Sequence, residues 1–216
     1  MRYLKCALIA EGVSDDRFLP FLLYRALEDL CLTAFEDPVD VDQVAVLRRH
    51  QRPPNVPEIL DLIQANTDTF HVVFVHRDQG ANAARLYDEW LAPLAKAWDP
   101  AWSERLVPVI PVRETEAWLI ADGAALRTAL GVQWSDADMG VPGKSRDVET
   151  IVDPKASVAR LARRRGRPIE DFYEEIAESV SLDVLRRVPS FAAFEQKTTD
   201  ALVDMGYRRQ AGAQSR

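Results

Sequence analysis

Leu4–Phe18, LKCALIAEGVSDDRF, decides the fold of this chain. Leu4 to Ala10 is almost wholly apolar, and such a run suits a strand buried on both faces of a parallel sheet. It breaks off at Glu11-Gly12. Ser14 occupies the place of a helix N-cap, Asp15 and Asp16 fall in the first turn, and an apolar helix follows. A strand that runs through a turn into a helix sets Glu11 at its carboxyl end, where open α/β sheets bind ligands. Gly12 lets the backbone turn tightly there.

The pattern repeats downstream. Asp15 to about Thr33 reads as a helix, with Phe18, Leu19, Leu22, Leu23, Ala26, Leu27 and Leu30 at helical spacing. Val39–Leu47 reads as a second strand, followed by an exposed basic loop, Arg48–Arg52, and Pro53-Pro54. Asn55 or Pro57 opens a second helix through Ile63. His71–Val75 is a third strand that stops at His76-Arg77-Asp78-Gln79-Gly80, and Ala81–Trp98 is a third helix. Leu106–Val112 is a fourth strand, confined to an edge or shortened by Pro108 and Pro111. Strands alternating with helices predict a parallel, Rossmann-like α/β sheet of about four strands. Right-handed crossovers would gather Glu11, Asp78 and the segment after Val112 on one rim.

From Arg113 the pattern turns helical: Glu114–Asp122, Ala124–Leu130, a polar loop over about 131–150, and a helix start at Asp153-Pro154-Lys155. Helices are expected through Ala156–Arg164, Ile169–Val180, Asp183–Val188 and Phe191–Met205. The expected organisation is an α/β domain over 1–122, a helical extension over 123–207 and a polar tail over 208–216.

The 216 residues are 47% hydrophobic and 28% charged, the balance of a soluble globular protein. No apolar run is long enough to span a bilayer, and the N-terminus has no basic-apolar signal pattern, so a cytoplasmic location without membrane partners is expected. Cys6 and Cys31 read as core thiols. A net charge of −7 argues against coating nucleic acid by bulk electrostatics, yet suits an acidic site that recruits cations.

Glu11 and Asp78 each end an apolar strand, where a carboxylate serves a ligand, a cap or a cation. As caps they would sit on helix N-termini; converging on one rim they would repel, which a hard divalent cation relieves. Glu114, Glu116 and Asp122 form a further acidic group. One of the glutamates would point at the rim while Trp118 packs, or the group is only an acidic first turn favoured by the helix dipole. His76 and Arg77 beside Asp78 suit titration near neutrality and a phosphate contact. Gly143-Lys144-Ser145 is no phosphate loop, because the required first glycine is Asp138 and no strand precedes it. Arg160, Arg163, Arg164, Arg165 and Arg167 form either a solvated helix end or a phosphate-backbone contact.

Three of these stretches, Glu11-Gly12-x-Ser14-Asp15, the strand ending in Asp78, and Glu114–Asp122, together resemble small bacterial TOPRIM-like proteins. TOPRIM is the topoisomerase–primase domain, also found in overcoming-lysogenisation-defect (OLD) nucleases and a ribosomal-RNA maturase. The subfamily this chain is similar to is a domain of unknown function. The resemblance implies a TOPRIM sheet with a helical C-terminal extension. It implies acid/base or metal work for Glu11, and Mg²⁺ (or Mn²⁺) binding for Asp78 at the first position of an Asp-x-Asp. The second position is Gly80, so Glu114 or Glu116 would have to substitute. Glu11, Asp78 and Glu116 are then the expected catalytic residues, and Glu11, Asp78, Glu114 and Glu116 the expected metal ligands. Arg77, Lys155, Arg163, Arg164 and Arg165 are the expected nucleic-acid contacts. The implied function is a Mg²⁺-dependent nuclease acting on DNA or RNA, with a partner ATPase in a phage-defence setting. The alternative is a catalytically degenerate binding module within an ATPase complex. A homo-oligomer is open to either.

Overall fold

Every residue of Cys6–Ile9 is buried, as an unbroken apolar run requires of a strand covered on both faces. The structure, a computed structural model, describes residues 2–99, 105–168 and 170–210. Arg2–Leu4 (β1) leads into Cys6–Ile9 (β2) and the long helix Val13–Ala34 (α1). Val39–Val41 (β3) and Ala45–Val46 (β4) precede Val56–Gln64 (α2) and Val72–His76 (β5). A helical run follows, Ala83–Leu86 (α3) and Ala92–Ala97 (α4) joined by a π-helical turn at Tyr87–Leu91, and then Arg105–Val109 (β6). The rest is helical: Glu116–Ile120 (α5), Gly123–Leu130 (α6), Asp136–Met139 (α7), a 3₁₀ turn at Ser145–Thr150, Pro154–Arg165 (α8), Glu170–Ser179 (α9), Leu182–Leu185 (α10) and Pro189–Asp204 (α11).

The main sheet is four-stranded and wholly parallel, in the order β4-β2-β5-β6. β1 and β3 extend it as a separate parallel pair. The chain is an α/β fold with helices on both faces and further helices at its C-terminal end. Alternate strand residues serve two cores. Cys6, Leu8, Val72 and Phe74 pack with α1 and the C-terminal helices. Ala7, Ile9, Val73 and Val75 pack with Ile59, Ile63, Trp90 and Leu94 of α2 and the α3–α4 run. The connections from β2 thus run first to β4 and then back across to β5. That reversal makes the carboxyl ends of β2 and β5 a topological switch point, the usual ligand crevice of such sheets.

Trp118 of α5 is fully buried, donates its indole N–H to Ser190 Oγ at 2.9 Å and meets Phe191 edge-on at 5.2 Å. That contact ties the segment after β6 to α11, so the chain leaving the rim has a fixed direction.

Several expectations need correction. Gly12, not Ser14, is the N-cap of α1, and the Asp15 carboxylate accepts the Gly12 N–H at 2.8 Å. The second strand is broken at 42–44 into β3 and β4, and the third helix is interrupted by the π turn. The loop over 131–150 holds α7 and the 3₁₀ turn. The basic loop is not uniformly exposed, for Arg49 is buried. β6 does lie at the edge of the sheet, where a strand containing Pro108 is tolerated. Ile169, the expected first residue of α9, and tail residues 211–216 lie outside the described residues. Among the described residues no helix is long and apolar enough to cross a membrane.

Candidate functional site

Glu11 follows β2 and Asp78 follows β5, and the parallel register of the two strands delivers them to the same rim. They meet directly: the Asp78 backbone N–H donates to Glu11 Oε2 at 2.9 Å. Arg77 Nε lies 3.5 Å from the same oxygen, and the side chains of Glu11 and Asp78 are 28% and 25% exposed. Asp78 Oδ1 accepts the Thr115 N–H at 3.0 Å, with Thr115 Oγ1 at 3.3 Å. Thr115 reaches this position because the chain leaving β6 crosses behind Asp78, where Gly80 and Arg113 form an isolated antiparallel bridge. Gly80 takes φ +64°, a left-handed conformation that favours glycine.

Beneath the pair lies His76, the last residue of β5 and wholly buried. Its Nδ1 accepts the Glu11 N–H at 3.3 Å, which places the proton of the neutral ring on Nε2. Nε2 lies 2.9 Å from Thr115 Oγ1 and 3.2 Å from Asp78 Oδ1. Burial pulls the imidazolium pKa down, but Asp15, Asp78 and Glu11 outweigh it and the net shift is upward. Asp15 Oδ2 stands 3.7 Å from Nδ1. On the far side, Arg49 donates to Asp16 Oδ1 at 2.8 Å and to the Gly12 carbonyl at 2.6 Å, clamping the turn that carries Glu11.

The other expected acidic residues make contacts of their own, although Glu116 is near enough to Asp15 for their charges to interact. Glu114 Oε2 accepts the Lys155 N–H at 2.9 Å, at the first turn of α8. Glu116 is buried, and its Oε1 accepts the Tyr173 hydroxyl at 2.8 Å, with Lys155 Nζ at 4.0 Å. Burial raises the Glu116 pKa to about 7 against the opposing pull of Tyr173 and Lys155. Asp122 caps α6 and also accepts the Ser181 N–H. Among the described residues no three histidine, cysteine or acidic groups converge to hold a metal ion. Glu11 and Asp78 are in contact, while Glu114 binds the first turn of α8 and Glu116 binds Tyr173 of α9.

The basic residues divide likewise. Arg77 stands at the rim. Lys155 stands beside Glu116, and Arg163–Arg165 lie about 12–15 Å farther along α8. There Arg165 Nε donates to the Leu130 carbonyl at 2.7 Å, and Arg164 lies over the Trp134 ring at 3.8 Å while donating to the Asp138 carbonyl.

Mg²⁺ usually takes one or two carboxylates and completes its shell with water and substrate phosphate. Glu11 and Asp78 fit that demand: one oxygen of each is steadied by a backbone N–H, and both side chains reach solvent. They do not form a closed protein cage. Thr115 and Arg49 were not legible as site residues, because Thr115 is 37 residues from its partner Asp78 and Arg49 is 33 from Asp16. Only His76, adjacent to Asp78 at the end of an apolar run, carried a local signal.

The family model for a domain of unknown function (DUF4276) matches residues 10–198, and the chain belongs to that family. No curated protein matches the chain. Among solved structures it is similar to the C-terminal region of the Xanthomonas campestris pv. campestris OLD protein. In crystals of that region phased with platinum the TM-score is 0.41 at 16% identity, covering 94% of this chain and 96% of that one. In crystals phased with mercury it is 0.43 at 16% identity, covering 94% and 98%.

Proposed function

We propose that this DUF4276 member is a divalent-cation-dependent phosphodiesterase acting on DNA or RNA, in which Glu11 and Asp78 hold one Mg²⁺ or Mn²⁺. The observation that carries this reading is the meeting of two strand-ending acidic residues at the switch point of a parallel sheet, the Asp78 backbone N–H donating to the Glu11 carboxylate. A cation bound there supplies charge to polarise a phosphoryl oxygen and lowers the pKa of a coordinated water. The chain's own residues prepare that chemistry. The Asp78 N–H orients Glu11, and the Thr115 N–H orients Asp78. His76 Nε2 holds its proton towards Thr115 Oγ1 and Asp78 Oδ1, which steadies both. Arg49 fixes the Gly12 carbonyl and with it the turn beneath Glu11. Arg77 brings a guanidinium to the solvent side of the pair, where it suits a phosphate oxygen. The TOPRIM resemblance of the three motifs supports the same reading. An ATPase partner would supply the nucleic-acid grip that a chain of net charge −7 lacks.

A second reading, a non-catalytic module within an ATPase complex, is favoured by Gly80 and by the lack, among the described residues, of a third group converging on the pair. Nicking of DNA and structured RNA by the purified protein, with Mg²⁺, Mn²⁺ or EDTA, separates the two. Cation-dependent cleavage lost in Glu11→Gln and Asp78→Asn supports the enzyme. Absence of cleavage under all conditions, with and without the ATPase, supports the module.

A further inference from the structure

Beside Asp78 the rim opens into a cleft of about 560 Å³. Ligand-binding clefts typically span roughly 300–1,000 Å³, so this one has room for one base with its sugar and phosphate. It lies between the β4–α2 connection, the β5–α3 connection and the π-helical turn. Pro53 and Pro54 form an apolar wall, and Gln79, Asn82, Arg85 and Trp90 also line the cleft. Trp90 is 4% exposed, and its indole N–H has no acceptor among the described residues. A buried donor without a partner is costly, and a ligand acceptor would satisfy it. Asn82 spends its carbonyl oxygen on the Arg85 N–H, which leaves its amide nitrogen as a donor. Among the described residues the Arg85 guanidinium pairs with Glu89, in a largely exposed pair of the kind that contributes little and is readily exchanged for a phosphate.

The Gln79 amide, which can donate and accept, the Asn82 amide donor, an indole N–H, a proline wall and a cation match the edge, face and phosphate of a nucleotide. We propose that this cleft takes one unpaired nucleotide of the substrate strand next to the phosphodiester held at Glu11 and Asp78. The proposal rests on the phosphodiesterase reading for what happens to the strand. A base can enter such a cleft only when it is out of a duplex stack. The preferred substrate is therefore a single strand, a loop or an unpaired end of nucleic acid.

The test is binding of fluorescent mixed-sequence oligonucleotides, DNA and RNA, as single strands and as blunt duplexes, in EDTA and in Ca²⁺. The full chain is compared with Arg85→Glu, which alters an exposed side chain, and with Trp90→Phe, which keeps an aromatic ring but removes the N–H. Single strands should bind tighter than duplexes, and Arg85→Glu should weaken single-strand binding about ten-fold, the size of a lost charge-assisted contact. Trp90→Phe should weaken it less, with circular dichroism unchanged. Equal affinity for both strand forms, unchanged binding in Arg85→Glu, or no binding by wild type overturns the cleft. Variant-sensitive single-strand binding without any cation-dependent cleavage keeps the cleft and removes the phosphodiesterase. Cleavage that ignores strand form and both variants does the reverse.

Discussion

Two carboxylate groups stand out in this chain, and they have opposite fates. Glu11 and Asp78 lie at the sheet rim with about a quarter of each side chain exposed and one oxygen steadied by a backbone N–H. Glu116 is 2% exposed and bonded to Tyr173, and burial lifts its pKa to about 7. On the proposed reading the rim pair takes a cation. In the buried carboxyl, desolvation favours the protonated form, held by the Tyr173 hydroxyl. Residue type and spacing put these acids in one class; exposure separates them.

The largest effect should break or confirm that division outright. Asp78→Asn and Glu11→Gln should each lower cation-dependent cleavage by about 100-fold or more and remove the cation-induced rise in melting temperature. Glu116→Gln should leave both within a few-fold. A Glu116→Gln variant as inactive as Asp78→Asn would erase the distinction.

The next effect is on stability and its pH dependence. Glu116 has a folded pKa of about 7, above its ordinary 4.5, so the native state retains a proton that the unfolded chain has released. Stability therefore falls as pH rises through that window, and the penalty is complete above about pH 7. Glu116→Gln removes the charge while its side-chain oxygen can still accept from Tyr173. It should be more stable than wild type by about 2–3 kcal/mol at pH 8 and nearly equal at pH 4, as measured by urea denaturation. His76, shifted upward, also loses stability as pH rises, but it is present in both proteins and cancels in the difference. A pH-independent difference would contradict the burial account.

Tyr173→Phe should cost about 1–3 kcal/mol at pH 8, because it leaves the buried Glu116 oxygen without its donor. In the Glu116→Gln background the cost should shrink, and a double-mutant cycle measures the coupling. The smallest effect sharpens the rim. A Cβ at residue 80 meets nothing within 4 Å, so Gly80→Asp is opposed mainly by the left-handed backbone, at about 1 kcal/mol. That variant should enlarge the cation-induced melting shift by adding a third carboxylate beside the pair. A shift unchanged from wild type would place the cation away from residue 80.

What the sequence disclosed follows from locality. An apolar run ending in a carboxylate carries its own meaning, so β2, β5, Glu11 and Asp78 were legible, and the β/α alternation supplied their common rim. Asn55 and Asp153 were legible as helix caps because each cap bonds the N–H three residues on. The surroundings of Glu116 were not legible, because they come from α9, 57 residues away, and nothing near it in the chain announces Tyr173. Arg49 looked like one of several loop arginines, and only the Gly12 carbonyl and Asp16 single it out. Ser14 had the chemistry of a cap, but Asp15 reached back to Gly12 first.

The central claim is that Glu11 and Asp78 form the cation site, and Mn²⁺ bound to crystals of the protein tests it most directly. Anomalous scattering locates the ion independently of any activity. The account predicts one peak in contact with carboxylate oxygens of both Glu11 and Asp78, with Glu116 still bonded to Tyr173. A peak on Glu116, or none at the rim at millimolar Mn²⁺, would contradict it.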